Sequence, residues 1–274
     1  MNASSEGRLT RITQKLKKEG IKPLVPFLTA GFPDEDTFGK VMGAAATAGC
    51  PIVEIGIPFS DPVADGPVIQ ASSQKVLGQG MTLLRTLELA AAAEHEHGLN
   101  VVLMGYLNPI LKMGVEQFAQ ACAEAKIAGV IIPDLPPELA MGIRSLLAEG
   151  GTDLVDLVAP TTDPQRLADN VVHARGFLYL VSTTGVTGAG SAPANNLPDY
   201  LKRVRQNTDL PLYVGFGIST AKQAALVAAV ADGVIVGSAL IRIISQAGSE
   251  AETQAAAFLT EMVQAIKSVK GSSK

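Results

Sequence analysis

The chain has 274 residues, 47% of them apolar and only 18% charged, and it contains no tryptophan. Such a sequence is too apolar for disorder, long enough for one or two domains, and too poor in aromatic residues to line a carbohydrate or single-strand stacking groove. Its 22 basic against 26 acidic residues leave a net charge of −4, which draws no polyanion and weighs against a nucleic-acid role.

The first residues, MNASSEG then RLTRITQKLKKEG, lack the apolar segment of a signal peptide and are interrupted by Glu6 and Glu19. They stand as an extra N-terminal helix. A rhythm then begins: short β-branched or leucine-rich runs, each followed by a turn and an alanine-rich segment of helical spacing. In chain order the spacing predicts a strand Leu24–Thr29 and helix Glu35–Ala48, then Ile52–Ile57 and Thr82–His97, Val101–Gly105 and Val115–Lys126, Val130–Pro133 and Pro137–Glu149. The second half continues with Leu154–Ala159 and Pro164–Ala174, Phe177–Ser182 and Pro198–Arg205, Leu212–Gly215 and Thr220–Ala229, Gly233–Gly237 and Glu250–Val269. Asp34, Asp163 and Ser219 read as helix caps, and Pro137, Pro164 and Pro198 as first-turn prolines. No apolar run approaches the roughly 18 residues of a membrane span. Cys50 and Cys122 are too few for a disulfide framework and point to a reducing, cytoplasmic compartment.

The strands are continuously apolar, as strands buried on both faces are. Eight βα units fit an α/β fold of the (β/α)8 TIM barrel kind better than a doubly wound sheet, which the pattern alone leaves open. The expectation is one domain over 1–274 with a flexible tail at about 270–274. In a barrel the chemistry lies at the C-terminal ends of the strands.

Glu54 stands inside an apolar strand, where an unpaired carboxylate is costly. It is either a structural ion-pair partner or a general acid/base whose pKa is raised by its surroundings. Asp61 and Asp65 follow in a loop dense in proline and glycine, where a carboxylate serves a turn, a cap or a rigidly held functional group. Glycines after the seventh and eighth strands, Gly215-Phe216-Gly217 and Gly237-Ser238, form either tight turns or a phosphate site built from backbone N–H groups and a helix N-terminus. Tyr106 and Tyr179 fall at the same end, as core rings or site residues. Phe27, Met104, Ile131, Leu157 and Phe216 would give an apolar mouth suited to a flat ligand carrying a phosphate. No strand holds a lysine for Schiff-base chemistry, the three histidines fall on helices, and no metal-ligand spacing, nucleophile elbow or Walker loop occurs. Carboxylate acid/base chemistry on an apolar phosphorylated substrate remains.

Pro26-Phe27-Leu28-Thr29-Ala30-Gly31, the stretch Glu54 to Pro67 with its PFSDPVADGP core, Gly185-Val186-Thr187-Gly188 and Gly215-Phe216-Gly217-Ile218 together resemble the tryptophan synthase α chain family. The resemblance runs from about Leu9 to Ile266. It implies a barrel that cleaves indole-3-glycerol phosphate to indole and glyceraldehyde 3-phosphate without a cofactor. By motif, Glu54 matches the general acid/base, Asp65 the carboxylate that holds the indole N–H, and Tyr179 the tyrosine beside the glutamate. Gly188, Gly217, Gly237 and Ser238 match phosphate-binding positions. Phe27, Met104, Tyr106, Leu157 and Phe216 match the indole pocket, and Thr187 matches the closing-loop residue that bonds the aspartate. The implied partner is a β chain that carries pyridoxal phosphate, in an αββα complex that passes indole through a tunnel and contacts residues 58–65. Gly190 departs from the family, many of whose members have a charged residue there.

Overall fold

A computed structural model describes residues 6–181, 197–215 and 217–269, with the backbone alone at 169 and 170. Along the chain run α1 (Arg8–Lys18), β1 (Leu24–Thr29), α2 (Glu35–Ala48), β2 (Ile52–Gly56), α3 (Pro67–Gly78), α4 (Leu83–His97), β3 (Asn100–Met104), α5 (Leu107–Met113), α6 (Val115–Glu124) and β4 (Gly129–Ile131). They continue as α7 (Pro137–Glu149), β5 (Asp153–Val158), α8 (Pro164–His173), β6 (Leu178–Val181), α9 (Leu197–Arg205), β7 (Leu212–Gly215), α10 (Ala221–Val230), β8 (Gly233–Val236), α11 (Ser238–Ala247) and α12 (Ala251–Lys267). The eight strands pair in sequence order, all parallel, and β8 closes onto β1 through Leu24–Val234, Val25–Ile235 and Pro26–Val236. This is the (β/α)8 barrel that the rhythm of the sequence predicts, and closure leaves no open sheet edge.

Helix boundaries follow local chemistry. The Asp34 carboxylate accepts from Thr37 N at 2.9 Å and opens α2, and Gly49 ends it in the left-handed region. Asp163 likewise accepts from Gln165 N at 2.9 Å, ahead of Pro164. Ser219 is not the cap of α10. Thr220 is, with Gln223 completing a reciprocal capping box, while Ser219 N donates to Gln223 Oε1 at 2.9 Å. Three helices lie beyond the expected set: α5 and α11, each close behind the end of a strand, and α3, which follows the long β2 loop that carries Asp65.

Side chains in register across paired strands share a face. Phe27, Glu54 and Val102 are level on β1, β2 and β3; Gly56, Met104 and Ile131 lie one level nearer the C-terminal end; Leu157, Tyr179 and Tyr213 are level on β5, β6 and β7. The charge of Glu54 acts on Tyr179, although β2 and β6 are not neighbours in the barrel, so both side chains point inward. Glycines make room for the rings: a Cβ on Gly56 would fall 2.6 Å from Phe27 Cζ, and one on Gly215 2.4 Å from Tyr179 Oη.

The opposite end is plugged by α1. Leu9, fully buried, occupies space that side chains at Gly129 and Gly176 would need, since Cβ atoms there would lie 2.6 and 2.7 Å from it. Asp153, at the foot of β5, accepts from Thr10 N at 2.8 Å and Thr10 Oγ1 at 3.0 Å, and Thr10 Oγ1 accepts from Gly176 N at 2.8 Å. Among the described residues no helix is long and apolar enough to cross a membrane.

Candidate active site

Glu54 is 1% exposed, and neither carboxylate oxygen has a hydrogen-bond partner among the described residues. Loss of solvation, with the nearby Asp65 charge second, pushes its pKa up to about 8. The alternative of a structural ion-pair partner therefore fails within the described residues, because no salt bridge there includes Glu54.

Asp65 arrives from the β2–α3 loop, immediately before Gly66 and the first-turn Pro67 of α3. It is buried and its pKa rises to about 6, again through desolvation, held back by a hydrogen bond with Tyr106. The loop is fastened from two sides. Ala64 N donates to Tyr106 Oη at 3.0 Å, and Gln70 Nε2, in the first turn of α3, donates to Asp65 O at 2.9 Å. The Phe59 and Tyr106 rings lie 5.4 Å apart. The backbone next to Tyr106 is held from the β4–α7 loop, because Leu107 N donates to the Asp134 carboxylate at 2.9 Å. Gln70 and Asp134 escaped the reading of the sequence, which looked for chemistry on strand ends. A glutamine in the first turn after an Asp-Gly-Pro corner is the signal that could have marked Gln70. Asp61 is exposed and its carboxylate accepts from Ser60 Oγ at 2.5 Å, so it serves the turn.

Tyr179 is buried beside both carboxylates, and desolvation together with their charges raises its hydroxyl pKa. Phe27, Met104 and Ile131 are buried on the inner wall, and Leu157 is partly buried level with Tyr179. Phe27 also packs at the helix-opening Gly237, where a Cβ would lie 3.2 Å from its ring.

The two glycine turns differ. Gly217 is exposed with φ of +77°, four residues before α10, whose own N-terminus is closed by the Thr220–Gln223 box. Gly237 directly opens α11, and no side chain caps that helix. Thus the glycine after β7 does not open a helix as expected, whereas α11 presents its first N–H groups, starting at Ser238, for an anion. Thr187, Gly188, Gly190 and Phe216 lie outside the described residues.

Two neighbouring buried carboxylates with unequal pKa values, inside the C-terminal mouth of a parallel barrel, define an enzyme that moves protons on a largely apolar substrate. Comparison with known proteins narrows this. The family model described as tryptophan synthase alpha chain matches residues 13–270. The alpha chain of Chloroflexus aggregans is 45% identical over 267 residues, covering 96% of this chain and 99% of that one. A chain of Mycobacterium tuberculosis tryptophan synthase superimposes with a TM-score of 0.86 at 37% identity, covering 95% of this chain and 98% of the other. The alpha subunit of Legionella pneumophila gives 0.85 at 37% identity, with the same coverage. The chain belongs to the tryptophan synthase alpha chain family. It is a carbon–carbon lyase, and its reaction is the cleavage of indole-3-glycerol phosphate to indole and glyceraldehyde 3-phosphate.

Proposed function

We propose that Glu54 is the general acid/base of this cleavage and Asp65 its electrostatic partner. A buried carboxyl with a pKa near 8 holds its proton at neutral pH and can give it to indole C3. The ring nitrogen then carries positive charge, which the Asp65 carboxylate, ionised above about pH 6, stabilises through the N–H. The resulting Glu54 carboxylate takes the proton of the glycerol hydroxyl next to the ring. As the C–O double bond of the aldehyde forms, the electrons of the breaking C–C bond return to the ring. One proton enters and one leaves, so the step balances without a cofactor. Tyr179 packs against the glutamate and limits its movement, while Phe27, Met104, Tyr106, Ile131, Leu157 and Phe216 enclose the indole.

The open N-terminus of α11, with Gly237 and Ser238, supplies amides for the phosphate, joined by Gly217 and Gly188; Thr187 closes over Asp65. The observation that carries this reading is the partnerless, buried Glu54 beside Asp65. Its test is indole release by Glu54→Gln, which keeps the side-chain shape and removes the titrating group. Release at the parent rate would overturn the assignment.

The lyase acts as a single barrel domain in the cytoplasm and hands indole to a tryptophan synthase β chain, in an αββα complex whose pyridoxal phosphate resides in the β chain. Two free thiols, Cys50 and Cys122, fit a reducing compartment. Val63, 82% exposed on the loop that carries Asp65, offers an apolar contact for a partner at the active face. Titrating the chain with a β subunit should accelerate indole cleavage; a rate indifferent to the β subunit would favour a stand-alone lyase.

A further inference from the structure

The loop that carries Asp65 leaves the barrel and comes back. After Gly56 ends β2, the chain runs outward through exposed Ser60, Asp61 and Val63, then returns to bury Asp65 and Gly66 before α3 begins. Pro58, Pro62 and Pro67 each fix one φ angle, but none of them sets the outward limb against the inward one.

Gln70 does. Its backbone N–H donates to Gly66 O at 3.0 Å in the first turn of α3, and its side chain reaches back past the helix start. There Nε2 donates to Asp65 O at 2.9 Å and to Pro62 O at 3.4 Å. Both partners are carbonyl oxygens, so the side-chain amide presents its two N–H bonds to them and not its oxygen. One planar amide thus ties the outward limb at Pro62 to the inward limb at Asp65. Ala64, between the two, is held separately by the Tyr106 hydroxyl, so the grip on the backbone of Asp65 is distinct from the tyrosine's. Gln70 is half-buried, whereas the carboxylate on the segment that it grips is buried beside Glu54.

Resting on the role of Asp65 proposed above, we infer that Gln70 is a positioning residue of the cleavage: by joining Pro62 O to Asp65 O it fixes the direction in which the Asp65 carboxylate meets the indole N–H. A displacement of about 1 Å in such a group costs on the order of 10² in rate. The positive charge that Asp65 answers exists only once the ring is protonated, so the loss falls on kcat and not on KM.

The test is steady-state indole release by the full chain in a double-mutant cycle of Gln70 and Asp65. Gln70→Met keeps the length of the side chain and removes both N–H donors; it should lower kcat at least tenfold while KM stays within about threefold. In the Asp65→Asn background the same change should cost less than about twofold, because the group that it positions is already lost. A clip that merely stabilised α3 would slow both backgrounds equally. Should Gln70→Met fail to fold, Gln70→Ala, which keeps a strong helix former in α3, carries the same cycle. A kcat loss below tenfold, a loss that appears in KM instead, or a loss above twofold in the Asp65→Asn background overturns the inference and leaves the role of Asp65 standing. Release by Asp65→Asn at the parent rate overturns both.

Discussion

In the proposed mechanism Glu54 has opposite consequences for stability and for catalysis, because one buried carboxyl would govern both. Its pKa rises from 4.5 to about 8, so between these limits the folded chain keeps a proton that the unfolded chain releases. Stability therefore falls as pH rises through that window and levels off above about 8. Asp65 adds the same sign between 3.8 and about 6. In Glu54→Gln this loss disappears, and denaturation midpoints measured from roughly pH 5 to pH 9 should show the variant gaining on the parent by on the order of a few kcal/mol. Indole release by that variant should meanwhile drop by about 10² to 10⁴. Asp65→Asn should lower kcat more than it alters KM, because the carboxylate meets a full positive charge only as the ring is protonated. The sequence singled out Glu54 by its conflict with an apolar strand, whereas its rigid loop left Asp65 open between a turn, a cap and a functional group, and only the family resemblance gave it a role. Composition could not say that Tyr106 and Gln70 fasten that loop, since their contacts come from the start of α5 and from the first turn of α3.

Between the elements, α10 and α11 make a useful contrast: one helix start is closed on itself, the other is open toward the mouth. Thr220→Ala removes a capping box and should cost about 1 kcal/mol in urea denaturation while leaving KM unchanged. Ser238→Asp places a negative charge in the first turn of α11, where the helix dipole welcomes it by about 0.3–1 kcal/mol. The same charge repels a phosphate, so KM should rise at least tenfold without loss of thermal stability. All eight strands were readable, because runs such as Leu212–Gly215, apolar throughout, and Ile52–Gly56, apolar but for Glu54, are bounded by glycine or proline. Helices α3, α5 and α11 were not. They are 12, 7 and 10 residues long; α5 and α11 begin within three residues of strand ends, so their periodicity merges with the loop, and α3 follows a stretch dense in proline and glycine that reads as loop. The cap at Thr220 was displaced to Ser219 because both residues are good caps; Gln223, three positions after Thr220, is what decides between them.

For the molecule as a whole, the catalytic mouth is made by strand ends while the other end depends on α1. Leu9→Ala would leave a void against Gly129 and Gly176 and should cost about 2–5 kcal/mol, read as a lowered denaturation midpoint with little change in KM. The barrel's eightfold order was legible as a rhythm along the chain, but the seat of α1 was not, because it joins residues far apart in sequence. Thr10 and Asp153 are 143 positions apart. On a ribosome adding about 5–20 residues per second, the helix would wait roughly 7 to 29 seconds for that aspartate. During this interval Leu9 has no seat, and the basic residues of α1 keep the emerging segment hydrated. The first helix made is thus among the last to be locked, and newborn chains should remain open to protease at α1 until β5 and β6 have formed.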